Sequence, residues 1–130
     1  MAAGIHHLEF WVSDLSRSLP FYQGLFNLLG WTQLNHFSFA TASCDFYLVE
    51  KPGLSKEPTA GVRHVCFNAD DAKTVHAVGT YLREAGAHVI RGPLEMDYSE
   101  GYLTVDFRDP DGNVLEVAYA PNHAFAAAGQ

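Results

Sequence analysis

The chain has 130 residues, is 48% hydrophobic and carries a formal net charge of −7. It is long enough to bury a sizeable core, and its acidic balance without a Lys/Arg cluster excludes nucleic acid and anionic membrane as partners. No apolar run approaches the roughly 20 residues a bilayer requires, and the N-terminus has neither a basic start nor a long apolar segment, so a cytoplasmic protein is expected. Cys44 and Cys66 are too few for a disulfide framework and too widely spaced for a thiolate metal site, which predicts two reduced, buried thiols.

Residues 5–12 alternate as a strand does, with Leu8, Phe10 and Val12 on an apolar face and His7, Glu9 and Trp11 on the other. His6 falls on the apolar side by parity. A helix follows, capped by Ser16 or Ser18, with Pro20 in or near its first turn, Leu19, Tyr22, Phe26 and Leu29 at helical spacing, and Gly30 as its stop. Short strands are expected over about 31–35, 37–40 and 44–50, which completes a βαβββ module at 4–50. Residues 51–60, rich in Pro, Lys and Gly, read as a linker.

A second module, 61–120, repeats the order. Its first strand, about 62–69, sets Val65, Phe67 and Ala69 toward the helix and His64, Cys66 and Asn68 on the opposite face. Asp70 or Asp71 caps a helix with Val75, Val78, Leu82 and Ala85 on one side, ended by Gly86. A strand over 87–92, a polar loop over 93–101 and strands over 102–108 and 114–119 follow. The last two are joined by Asp109-Pro110-Asp111-Gly112, where proline fixes φ and glycine allows positive φ, a tight hairpin. The tail, 121–130, is expected to fray.

The two modules carry an internal repeat. GIHHLEFWVSD from Gly4 returns as GVRHVCFNADD from Gly61, and one ungapped offset pairs Ile5 with Val62, His7 with His64, Leu8 with Val65, Phe10 with Phe67 and Asp14 with Asp71. Aligning the modules' last strands on Pro52 and Pro121 sets Tyr47 opposite Glu116. A lone strand histidine is most often a hydrogen-bonded packing residue. Two at one repeat position, both facing away from the apolar side, point instead to a shared task. His7, His64 and Glu116 make a two-histidine, one-carboxylate set that suits Fe(II) best and also accepts Mn, Ni, Co or Zn, with positions left open for substrate. Glu9 shares the His7 face and can serve as proton carrier or as a solvated rim charge.

GIHHLEFWVSDLSRSLPFY, GVRHVCFNADD and FRDPDGNVLEV resemble the three signature segments of the vicinal oxygen chelate superfamily, which includes glyoxalase I, bleomycin and fosfomycin resistance proteins and extradiol dioxygenases. The resemblance spans about Ile5 to Tyr119. It implies an α+β fold, two βαβββ modules forming one curved, cup-shaped mixed sheet with a helix on each, with His7, His64 and Glu116 as ligands of one divalent metal ion, and a homodimer. Tyr47 stands where glyoxalase I-like members carry a fourth, carboxylate ligand. Asp106 stands where extradiol dioxygenases keep a pocket tyrosine, for which Tyr98 or Tyr102 could substitute. Glu9, Tyr98 and Tyr102 are thus the candidate catalytic groups, and Trp11, Tyr47, Cys66, Asn68 and Asp106 the candidate substrate contacts. The expectation is a metal-dependent enzyme that chelates a small substrate through vicinal oxygens, by dioxygenase or isomerase/lyase chemistry. The alternative is a bleomycin-resistance-like protein that holds a small aromatic or cationic compound without chemistry.

Overall fold

The structure is a computed structural model that describes residues 3–54 and 60–123; part of the expected linker and most of the expected tail lie outside the described residues. The chain gathers into two compact units. One holds the described residues up to Gly61 together with Asp109–Asn113, the other Val62–Arg108 and those from Val114 onward.

The first unit runs β1 (His7–Val12), α1 (Leu15–Leu29), β2 (Thr32–Asn35), β3 (Ser38–Ala40) and β4 (Asp45–Glu50). Its sheet has the order β1-β4-β3-β2, with β1 parallel to β4 and the other pairings antiparallel. Alternation on β1 is as expected, with Val12 buried and His7, Glu9 and Trp11 exposed. The helix cap differs from expectation. Asp14, not Ser16 or Ser18, occupies the extended position before α1 and accepts from the Ser16 amide at 3.0 Å and hydroxyl at 2.6 Å. Those bonds hold the Asp14 carboxyl below its ordinary range. Pro20 lies inside the helix, beyond its first turn. Gly30 ends it at φ 80°.

The buried side of α1 is Ser18, Phe21, Tyr22, Leu25 and Phe26, so it is rotated from the expected stripe, and Leu19 and Leu29 are only half-buried. Tertiary partners cause the rotation. Ser18 Oγ donates to Asp111 Oδ2 at 3.5 Å, and the Tyr22 hydroxyl donates to Asp109 Oδ2 at 2.6 Å. Phe26 packs on Phe39 and Phe46 with ring centroids 4.8 and 5.1 Å away, and Tyr22 on Phe46 at 5.3 Å. These rings form the core between helix and sheet.

The second unit runs β5 (Val65–Asn68), α2 (Ala72–Glu84), β6 (Val89–Met96), β7 (Tyr102–Arg108) and β8 (Val114–Tyr119), with sheet order β5-β8-β7-β6. Asp71 caps α2, accepting from the Thr74 amide at 2.7 Å. Val75, Val78, Gly79 and Leu82 are buried against the sheet, while Ala85 is the exposed cap residue and Gly86 follows at φ 69°. The strand expected to stop at Gly92 continues to Met96, because Leu94, Glu95 and Met96 pair with Thr104, Leu103 and Tyr102; Gly92 and Pro93 sit at a register irregularity. The hairpin turn is as read, with Gly112 at φ 91° and its amide on the Asp109 carbonyl at 3.0 Å.

Register supports the alignment of the modules. β1 sets Glu9 beside Tyr47, β5 sets Cys66 beside Glu116, and Glu9 and Cys66 hold the same repeat position. The fold is therefore α+β, two βαβββ modules, each a mixed four-stranded sheet carrying one helix.

Candidate functional site

In the second unit, β5 begins at Val65 rather than at the expected residue 62, so His64 precedes the strand. Alternation places Cys66 and Asn68 on the sheet face away from α2, with Glu116 on β8 and Tyr102, Thr104 and Asp106 on β7, and His64 is brought to that face by its approach to Glu116. Leu103, Val105, Phe107, Leu115 and Val117 take the helix side and are buried. Glu116 is only 6% exposed. A buried carboxylate needs partners, and both oxygens have them. Tyr102 donates to Oε2 at 2.8 Å, Thr104 Oγ1 donates to the same oxygen at 2.6 Å, and His64 Nε2 lies 3.2 Å from Oε1.

The separation of the last pair is a test of fit for an ion. Two donors each about 2.1 Å from one metal lie about 3.0 Å apart at a right angle and about 3.4 Å apart at the tetrahedral angle. The 3.2 Å between His64 Nε2 and Glu116 Oε1 falls between those values, and a neutral imidazole nitrogen with a carboxylate oxygen suits a divalent ion. Among the described residues, no group of three or more His, Cys, Asp or Glu is placed to hold a metal ion.

Desolvation first, then the negative charges of Glu116 and Asp106, push the Cys66 thiol up to about 12. Such a thiol is not a ready nucleophile, although Cys66 as a residue is exposed and Cys44 half-buried, so neither is the buried cysteine expected. Tyr102 is pushed well above its ordinary range by desolvation and by its bond to Glu116, so its phenol remains a donor. Asp106 pairs directly with Glu116 across the strands. Its Oδ2 accepts from Arg91 Nε at 2.5 Å, and its buried Oδ1 has no hydrogen-bond partner among the described residues. Tyr98 is exposed, accepts from Arg91 at 3.4 Å and meets Tyr102 edge-on at 5.1 Å. Asn68 is exposed beside Ala118. Thr104 and Arg91 were not foreseen. Thr104 is found only once register sets it diagonally from Glu116 on the same face.

In the first unit, His7 is exposed, with its ring edge-on to Tyr47 at 5.8 Å and its Nδ1 3.0 Å from His6 Nδ1. His6 precedes the strand and lies exposed beside His7, so strand parity does not reach it. The Tyr47 hydroxyl donates to Asp45 Oδ2 at 3.0 Å, a bond that raises its pKa. Glu9 Oε2 accepts from Trp11 Nε1 at 2.8 Å, and Lys51 Nζ stands 5.2 Å from the Trp11 ring centre. Trp11 is half-exposed and held by both neighbours.

The two βαβββ modules define a class of α+β proteins built from a repeated unit, and comparison with known proteins identifies the family. Residues 4–117 match the Glyoxalase/Bleomycin resistance protein/Dioxygenase superfamily, and the chain belongs to that family. The metallothiol transferase FosB of Shouchella clausii is 29% identical over 90% of this chain and 80% of its own length. A glyoxalase/dioxygenase from Nostoc punctiforme superposes with a TM-score of 0.71 at 24% identity, covering 90% of each chain. The fosfomycin resistance protein FosX from Listeria monocytogenes gives 0.70 at 19% identity, over 96% of this chain and 97% of its own. No helix among the described residues is long and apolar enough to cross a membrane.

Proposed function

We propose that this protein is a divalent-metal-dependent enzyme that binds a small substrate through vicinal oxygens, with His7, His64 and Glu116 as the metal ligands. The supporting observation is the His64 Nε2 to Glu116 Oε1 separation of 3.2 Å, with the other carboxylate oxygen already engaged by two hydroxyl donors. His7 joins them from the same chain or from the second copy in a homodimer. Fe(II) suits the donor set best, and Mn, Ni, Co and Zn are acceptable to it. A bound ion would supply Lewis acidity toward substrate oxygens.

Around it, Tyr102 offers a hydroxyl that stays protonated, and Asp106 an acceptor oxygen for a substrate donor. Glu9, engaged with the Trp11 indole, orients that ring rather than carrying a proton. The chemistry is of the dioxygenase, isomerase/lyase or, from the likeness to a metallothiol transferase, thiol-transfer kind. The half-exposed Trp11, held between Glu9 and Lys51, favours a second reading in which a planar compound is bound without chemistry.

The test loads purified protein with Fe(II) or Mn(II) and follows oxygen uptake with catechols, loss of a hemithioacetal, and thiol addition to fosfomycin. Metal-dependent turnover in one assay, abolished in Glu116→Ala, is expected. Inertness in all three, with a planar ligand bound equally with and without metal, would establish the second reading instead.

A further inference from the structure

We propose that Thr104 and Tyr102 are positioning residues that make Glu116 a one-oxygen ligand: both donate to Oε2, which leaves Oε1, beside His64 Nε2, as the oxygen that would meet an ion. The inference rests on the metal reading above and goes further, because it says how many positions the carboxylate takes and why. A carboxylate can bind an ion through one oxygen or both, and the second mode would remove a position needed by a substrate arriving with two oxygens.

The geometry opposes the second mode. Oε2 receives Thr104 Oγ1 at 2.6 Å, within the short range of a hydroxyl on a carboxylate, and Tyr102 at 2.8 Å, an ordinary hydroxyl distance. Turning Oε2 toward an ion would strip both. Thr104 is fully buried, and its remaining acceptor, the Val117 carbonyl, lies at a longer 3.2 Å. Losing a good partner there carries a desolvation cost. The scaffold fixes the arrangement. Asp106 on β7 faces Glu116 on β8, so Thr104, two residues along on the same face, is the diagonal neighbour, and Tyr102, two further, reaches by the length of its ring. The carboxylate opposite, Asp106, is held through Oδ2 by Arg91.

Calorimetric titration of Mn(II) into full-length, metal-stripped protein tests this. Thr104→Val keeps the shape and removes the donor, and is expected to weaken Mn(II) binding by about 10–100-fold. Thr104→Ser restores the hydroxyl and returns affinity to within about threefold of wild type, while Tyr102→Phe, which leaves the fold's core untouched, weakens it by about 3–30-fold. In Co(II)-loaded protein, freeing Oε2 to coordinate raises the coordination number, so Thr104→Val shows a weaker visible band than wild type.

Folded Thr104→Val that binds Mn(II) as tightly as wild type, or Thr104→Ser as weak as Thr104→Val, would overturn the inference. Should Thr104→Val not fold, an unaltered affinity in Tyr102→Phe would do the same. Wild type that takes up no Mn(II) or Co(II) would instead remove the metal reading itself, a distinguishable failure.

Discussion

Tyr22→Phe removes one oxygen atom and nothing else, and its effect can be worked from the structure. The phenol is fully buried and donates at 2.6 Å to Oδ2 of Asp109, itself 5% exposed. Asp109 also receives the amides of Asp111 at 2.9 Å and Asn113 at 2.8 Å on Oδ1, and Asn113 Nδ2 at 2.9 Å on Oδ2. A buried hydrogen bond to a charged acceptor contributes about 1.5–3 kcal/mol. For a chain of this size that corresponds to a fall in Tm of roughly 5–15 °C. Desolvation, and then the Asp109 charge, raise the Tyr22 pKa well above 10.0. A raised folded pKa means this contribution is complete below pH 10.0 and is lost as pH climbs from there toward the folded value. Thermal and urea unfolding at pH 7, 9 and 11 measure both effects. Wild type should approach Tyr22→Phe in stability as pH rises above 10.0, and a double-mutant cycle with Asp109→Asn should show coupling between the two positions. A loss below about 0.5 kcal/mol at neutral pH would place Tyr22→Phe among ordinary surface changes and refute the assignment.

Gly79→Ala would set a methyl 2.7 Å from Pro93 Cγ and 2.8 Å from Cδ. Overpacking a buried helix-to-strand contact costs about 1–3 kcal/mol, enough to offset the roughly 1 kcal/mol gained in helix propensity. The expected result in a melting experiment is a lower Tm, and a higher one would contradict the packing. Phe46→Ala empties the centre of the first unit's aromatic core, where Phe10 lies at 4.7 Å and Tyr22 and Phe26 at 5.3 and 5.1 Å. A loss of about 3–5 kcal/mol is expected from urea unfolding, and a loss under about 1 kcal/mol would mean the site collapses freely.

What was legible in the sequence was what depends on local periodicity and on the repeat. Alternation at His7–Val12 and Val65–Asn68, the stops at Gly30 and Gly86 and the Asp109–Gly112 turn all follow from short-range backbone chemistry. The equivalence of Tyr47 and Glu116 came from counting back from two prolines and agrees with strand register. What was not legible depends on partners distant in the chain. Ser18 is buried rather than Leu19 because Asp111 reaches it from a hairpin far along the sequence. Asp14 competes with two nearby serines for the cap, and only the extended backbone at Asp14 decides it. β6 continues past Gly92-Pro93 because β7 offers Tyr102, Leu103 and Thr104 as partners, which overrides two residues that ordinarily break a strand. At the candidate site, His64 and Glu116 stood out by their places in the repeat. Thr104 did not, since a threonine in a strand is ordinary until pairing sets it 2.6 Å from a carboxylate.

If His7, His64 and Glu116 together hold one divalent ion, each must contribute to its affinity. Equilibrium dialysis of Mn(II) against wild type and the His7→Ala, His64→Ala and Glu116→Ala variants measures it directly. A single tightly held ion per chain in wild type and weakened uptake in each variant that remains folded are expected. Equal uptake by wild type and all three variants, or none by wild type, would contradict a shared ion.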